Sequence, residues 1–329
     1  MRISAQSAGL TGVLVIVMML AIALGETPLS LHQYATALRP GSAVGEVLWS
    51  IRAPRVGAAA LVGAALGLSG AVMQGLLRNP LADPAVLGVS AAAGLGAALA
   101  LIAGLAAIAG AVELAALIGA LVAGSLLSLA AARLQTPEAL ILFGVSLSAF
   151  GGALTALVFN LSPSPIATTE VLNWLMGSVA NRSWGDLGWA AAPIAVGAGL
   201  SVYAARGLRM LTLGEETARL SGLPMARLRA AAVAGAALMT GSAVALAGVI
   251  GFVGLAAPHL VRAGAKEDPA AVLAPSALAG AVLLVLADLI GRLIPTEALL
   301  ELKLGVVTAL FGAPLFALIA WRAARSWRG

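Results

Sequence analysis

The 329 residues are 61% apolar and 10% charged with a net charge of +5, and the mean hydropathy is +1.03; globular domains run at about 45–50% apolar and about 25% charged, which argues against a soluble enzyme. Without cysteine there can be no disulfide, no thiolate zinc or Cys-ligated iron–sulfur site and no cysteine nucleophile. Nineteen Lys and Arg residues dispersed among apolar runs fit loop charges that orient a membrane protein, not a nucleic-acid surface.

At about 20 apolar residues per crossing of a hydrocarbon core about 30 Å thick, the chain predicts an all-α, polytopic membrane protein of about ten transmembrane helices in one domain over 1–329. In chain order the spans are 8–25, 56–77, 86–108, 112–132, 139–160, 187–205, 230–250, 251–263, 271–294 and 303–321. None alternates with period two, so a membrane barrel does not fit. The segment 251–263 is too short to cross and carries Gly and Pro258, so it reads as a half-length or broken helix bordering a cavity.

With the N-terminus cytoplasmic, 13 of the 19 cations fall inside, leaving Arg39, Arg52, Arg55, Arg182, Arg292 and Lys303 outside; the positive-inside rule then puts both termini in the cytoplasm. Trp49, Trp174, Trp184, Trp189, Trp321 and Trp327 all fall at predicted span ends, where an indole prefers the headgroup layer. Reading the first span as a cleaved signal peptide leaves nine spans and puts the Arg-rich C-terminus on the wrong side.

The chain cannot hydrolyse ATP by a phosphate-binding loop, which needs Gly-Lys-Ser/Thr, because Lys266 and Lys303 precede Glu267 and Leu304. The inside segment 206–229 is too polar for the membrane. Gly207, Gly214, Gly222 and Pro224 cut it into two short helical pieces, with Glu215 and Glu216 opening the second, where carboxylates favour a helix N-terminus. It reads equally as a solvated loop or as a docking surface for a cytoplasmic protein. Gly67-Leu68-Ser69-Gly70 matches an intramembrane serine protease pattern, but the one plausible base, His259, falls at a cytoplasmic helix end; Gly63 and Gly67 as a close-packing pair are the plainer reading. A proton-coupled carrier needs a mid-membrane carboxylate, and the best candidate, Asp288, has Arg292 at i+4, which reads as a helix-surface ion pair. A lone histidine such as His32 or His259 is more often structural than a haem ligand.

Six strings taken together resemble the FecCD-type permeases of binding-protein-dependent ABC importers for siderophores, haem and cobalamin. They are RAPR at 52–55, VGAALGLSGAVMQGLLRNPLADPAVLGVSAAAGLGA at 62–97, LGEETARLSGLP at 213–224, VALAGVIGFVGLAAPHLVR at 244–262, LADLIGR at 286–292 and ELKLGVVTALFGAPLF at 301–316. The resemblance implies a homodimer in the bacterial inner membrane, with two cytoplasmic ATP-binding cassette subunits that use ATP and Mg and a periplasmic binding protein above. No cofactor or metal is implied for this subunit. It makes 206–229 the ATPase coupling segment, with Gly214, Glu215, Glu216, Ala218, Leu220, Gly222, Leu223 and Pro224 in the matching string. It makes Arg52, Arg55 and Arg292 an exposed rim that pairs with glutamates of the binding protein, and Asn79 and Leu81 a cytoplasmic gate. Where the family carries adjacent small hydroxyls for a second gate, this chain has Thr136, Pro137 and Glu138. The stretch 161–185 matches a short gating helix, expected from about Thr168 because Pro163 and Pro165 break the preceding span. The cargo implied is an iron chelate, haem or ferric siderophore, with cobalamin the alternative. A mechanical permease would leave specificity to the binding protein.

Overall fold

The computed structural model describes residues 5–25, 29, 31–36, 42–134, 136–262, 264, 268–294 and 301–326. Arg2, Arg39, Lys266, Trp327 and Arg328 lie outside the described residues. The described chain is helical: α1 (Ala5–Ala23), α2 (Leu31–Thr36), α3 (Ala43–Glu46), α4 (Ala53–Leu77), α5 (Val89–Ile102), α6 (Ala111–Arg133), α7 (Pro137–Asn160), α8 (Pro165–Leu175), α9 (Trp184–Leu211), α10 (Glu215–Leu220), α11 (Met225–Ala247), α12 (Val253–Arg262), α13 (Pro269–Leu293) and α14 (Leu304–Ser326). Seven helices among the described residues are long and apolar enough to cross a membrane. With α5 and α14 as further apolar helices and α12 as a half-length one, the count agrees with about ten.

The bundle is built around α4. A π-helical stretch, Val47–Arg52, joins α3 to α4 so that Ala43–Leu77 runs as one helix of 35 residues; π stretches often mark functional sites. The predicted span began at 56, because Arg52 and Arg55 looked like its boundary. Instead both guanidiniums enter the helix and are buried by partners described below. Small residues set how closely α4 packs: a Cβ at Gly63 would meet the Gly280 carbonyl of α13, one at Gly67 the Ser276 carbonyl, and one at Gly70 the Gly254 carbonyl at the start of α12. In lipid, where apolar burial does not drive helix association, such backbone approach does. Gly96 and Gly119 bring α5 and α6 together in the same way.

The predicted broken helix is α12, ten residues long. Residues 248–252 leave the helical path between α11 and α12, with Gly248 at φ 72° and Phe252 at φ 68°. Non-helical backbone at membrane depth must be satisfied by protein, and protein surrounds the break: Ser178 N donates to Ala247 O (2.7 Å) at its edge, and beside it Leu304 N donates to Gly177 O (3.0 Å) and Gly305 N to Met176 O (3.0 Å). The first bond fastens the chain just after α8 to the edge of the break, and the other two fasten the start of α14 to the end of α8.

Two local readings change. Gly207 does not interrupt the coupling segment, because α9 continues to Leu211 and the missing Cβ admits the Leu228 side chain of α11; one short helix, α10, stands alone. The short helix after α7 starts at Pro165, three residues before the expected Thr168, since proline suits the first helical turn and Ser164 caps it through Ala167 N. On the outside of the bundle α7 and α14 present apolar side chains, among them Leu142, Phe150, Leu310 and Phe311.

Candidate functional site

Polar chemistry gathers at the two ends of the bundle. At the end where α4 begins, Arg55 lies between two carboxylates: its Nε and Nη2 donate to Asp288 Oδ1 (3.0 and 2.9 Å), and its Nη1 and Nη2 donate to Glu301 Oε1 and Oε2 (2.6 and 2.7 Å). Arg292, one turn beyond Asp288 on α13, holds its Nε 3.0 Å from Asp288 Oδ2. That nitrogen misses hydrogen-bond alignment, so the pair is held by charge. Arg292 spends its remaining donors on the carbonyls of Ala21 and Leu24 (3.1 and 3.2 Å), and Arg52 donates to Ala23 O (2.7 Å). Guanidiniums favour a helix C-terminus, where carbonyls lack partners, and these two cap α1.

This arrangement corrects the picture of an exposed rim. Arg52 and Arg292 are buried, and the Arg55 side chain is 13% exposed. Asp288 is correctly paired with Arg292, but inside the bundle and shared with Arg55. Among the carboxylates Asp288 is 3% exposed and Glu301 29%, so Glu301 is the member of the cluster within reach from outside. Spacing alone missed the cluster because its members come from α4, α13 and the segment before α14. On the same side, Arg182 pairs with Glu113 at 2.9 Å.

At the opposite end the loop Arg78–Gly88 follows α4. Arg78 ends the helix in the left-handed region (φ 49°). The Asn79 side chain accepts from Leu81 N at 2.9 Å, a turn that leaves Leu81 exposed. Two residues on, Asp83 is buried and accepts from Ala85 N (2.9 Å), its carboxyl facing Gly254 at the start of α12. Burial pushes this carboxyl up to about 6, against the lowering effect of the Ala85 bond. Sequence reading passed over Asp83; its signal was the single carboxylate in the loop between α4 and α5. Thr136 caps α7 by accepting from Ala139 N, with Pro137 in the first turn; the Thr-Pro-Glu departure thus carries a helix start.

At this same end α10 opens at Glu215 behind Gly214 (φ 100°). Glu215 Oε1 accepts from Arg219 Nη2 and Arg229 Nη2, both at 2.7 Å, and Arg229 Nη1 donates to Leu134 O at 2.6 Å. One guanidinium therefore ties α10 to α11 and to the α6–α7 connection. Ala218 is buried beneath α10, Gly222 turns the chain at φ 81°, and Pro224 precedes α11. Glu216, Leu220 and Leu223 complete the segment, with Leu220 fully outward. Ser69, by contrast, is buried and donates to Leu66 O while accepting from Thr240, so it is part of the packing of α4.

A model of the FecCD transport family matches residues 13–322. The chain is 40% identical over 288 residues, 86% of its length and 80% of the relative's, to the uncharacterized ABC transporter permease protein YvrB of Bacillus subtilis. It is 39% identical over 318 residues, covering 96% of this chain and 94% of the other, to the vitamin B12 import system permease protein BtuC of Shigella boydii. A solved structure of a metal-chelate type ABC transporter in an inward-facing conformation superposes with a TM-score of 0.86 at 30% identity, covering 96% of this chain and 98% of that one.

Proposed function

The chain belongs to the FecCD transport family and is a permease subunit of an ABC importer; from that premise we propose that it carries a metal chelate through the bacterial inner membrane into the cytoplasm, with cobalamin the first cargo to test. The observation carrying the cargo reading is the likeness to permeases named for vitamin B12 import over nearly the whole chain. An iron chelate, haem or ferric siderophore, is the second reading; the metal-chelate transporter among the solved structures accommodates it.

The working assembly is a homodimer, and the apolar faces of α7 and α14 suit a second copy. Two ATP-binding cassette subunits, using ATP and Mg, press on α10, so that the α10 end and both termini face the cytoplasm. A periplasmic binding protein docks over Arg55. Since Arg55 is already held by two carboxylates, docking proceeds by exchange: a glutamate of the binding protein takes the place of Glu301, the exposed member, while Asp288 keeps its hold. Asn79 shapes the loop that presents Leu81 as an apolar closure at the cytoplasmic exit.

The test is ATP-dependent uptake in proteoliposomes holding this chain with its ATPase and a binding protein loaded in turn with cobalamin, haem or a ferric siderophore. Uptake of one of them names the cargo. Failure of all three with ATP, together with uptake under a pH gradient, would sink the importer reading. Charge reversal at Arg52 or Arg55 would break the buried cluster, so Glu301→Gln is the informative docking variant: removing the competing charge should tighten binding-protein docking about three- to tenfold, and weaker docking would refute the exchange.

A further inference from the structure

At the α10 end, a cavity of about 310 Å³ lies among α4, α9, α12 and α13, lined by Gln74, Arg78, Leu208, Thr212, Arg262 and Pro269. That volume is at the lower end of the about 300–1,000 Å³ typical of small-ligand sites. Two guanidiniums reach it. Arg262 donates through Nη2 to Gln74 Oε1 at 2.6 Å, while its Nε is buried without a hydrogen-bond partner. Arg78, exposed at the end of α4, makes no ion pair among the described residues. The carboxylate beside the cavity, Asp268, is engaged: it accepts from Arg209 Nε (3.0 Å) and from Ala270 N (2.9 Å). Burial opposes its charge, but these bonds hold it below the usual carboxylate range, so it stays committed to Arg209.

Two cations that share a cavity repel each other, and a buried guanidinium N–H without an acceptor is costly. Favourable contact with the carbonyl ends of α4 and α12 accounts for cations at this depth, but it leaves the Arg262 Nε unsatisfied. An anion with several acceptor oxygens resolves both problems at once, and guanidiniums match the geometry of phosphate. The remaining wall is apolar, formed by Leu208 with Ala71, Leu211 and Val272.

We propose that this cavity binds a phosphate-bearing anion between Arg262 and Arg78, with the headgroup of an anionic phospholipid as the form a membrane supplies. The apolar wall accommodates the lipid's glycerol and upper acyl carbons. The site also bears on the broken helix, because Gln74, which Arg262 holds, donates to Gly254 O at 3.5 Å. An occupied cavity therefore steadies the start of α12.

The experiment uses the full chain, purified in detergent and stripped of lipid. Native mass spectrometry counts phosphatidylglycerol bound against phosphatidylcholine, and thermal unfolding is followed with and without inorganic phosphate. The expected result is one phosphatidylglycerol retained beyond the phosphatidylcholine count, with affinity lowered about tenfold or more in Arg262→Gln and in Arg78→Gln. Arg227→Gln, an equal loss of charge at an exposed position of the same end, should leave it unchanged. Arg78→Gln keeps the test decisive if loss of the Gln74 contact destabilises Arg262→Gln. Stabilisation by inorganic phosphate alone, lost in both cavity variants, supports the site and makes its occupant a soluble anion. Equal phosphatidylglycerol and phosphatidylcholine counts without a phosphate effect, or binding indifferent to Arg78 and Arg262, overturn the proposal.

Discussion

The Arg55 cluster makes a stability prediction whose size follows from burial. Asp288 faces two guanidiniums and is 3% exposed, as is the Arg292 side chain. Asp288→Asn removes the carboxylate paired with the buried Arg292, and one of the two that hold Arg55, in a place water scarcely reaches; stranding a buried charge costs about 3–5 kcal/mol. Glu301→Gln also removes a negative charge from Arg55, but at a position 29% exposed, where a neutral amide oxygen can still accept and water screens what remains; its cost is about 1 kcal/mol. The two variants should therefore differ by about 2–4 kcal/mol, a factor of about 30 to 1,000 in the unfolding equilibrium. Equilibrium unfolding of the detergent-solubilised chain in rising SDS, followed by tryptophan fluorescence, measures it. The double variant Asp288→Asn/Arg292→Met should recover part of the loss, since one stranded cation is removed with its partner, giving a coupling of about 1–3 kcal/mol. If the two single variants unfold within about 1 kcal/mol of each other, burial does not govern this cluster and the reasoning fails.

Asp83, raised to about 6 from 3.8 by burial, binds its proton more tightly folded than unfolded. Its favourable contribution is therefore complete below about pH 4 and lost as pH rises through 6, in total about 3 kcal/mol with roughly half of it above pH 5; the wild type should melt lower at pH 7.5 than at pH 5, and Asp83→Asn should flatten that difference. Gly70→Ala places a methyl against the Gly254 backbone and should cost about 1–3 kcal/mol or more, whereas Gly152→Ala on α7, where a Cβ meets nothing within 4 Å, should stay within about 0.5 kcal/mol; equal losses would show that the α4–α12 contact is not tight. Glu215→Ala removes the acceptor of Arg219 within α10 and releases Arg229 of α11 from that helix, and should cut cargo moved per ATP in the assembled transporter while the chain still inserts and assembles; unchanged stoichiometry would remove α10 from the coupling path.

What the sequence made legible was whatever depends on neighbours along the chain. Apolar run length located the helices, and Gly and Pro258 marked the half-length α12, because crossing a bilayer is a local requirement on about 20 consecutive residues. The pairing of Asp288 with Arg292 was readable because i and i+4 share a helix face. The burial of that pair was not, since it depends on Arg55 being 233 residues away in sequence and within 3.0 Å in space. Gly207 misled for a related reason: glycine inside a helix costs only about 1 kcal/mol, and packing against Leu228 decided that α9 would continue. Asp83 stayed hidden because its perturbation comes from burial beside Gly254, on an element 171 positions further along.

The same geometry bears on how the two ends act on one another. Helix α4 runs from the Arg55 cluster to the loop carrying Asn79, Leu81 and Asp83, and it is locked along its length by glycine contacts that leave no room for a side chain. Such a rod cannot bend to absorb a local shift, because interiors packed this closely move between discrete arrangements instead of deforming smoothly. The element free of such locking is the break at 248–252, whose α11 edge is tied to the chain after α8 by one backbone bond, Ser178 N to Ala247 O, while α14 is tied to that same turn by two more. At its other flank α12 meets Asp83 and, through Gln74, Arg262. Under the proposed function, a displacement of Glu301 at one end, or of α10 through Arg229 at the other, is expected to be taken up at this break, beside the short helix α8 and the start of α14; hydrogen exchange at 248–252 that does not change when the ATPase or the binding protein docks would refute it.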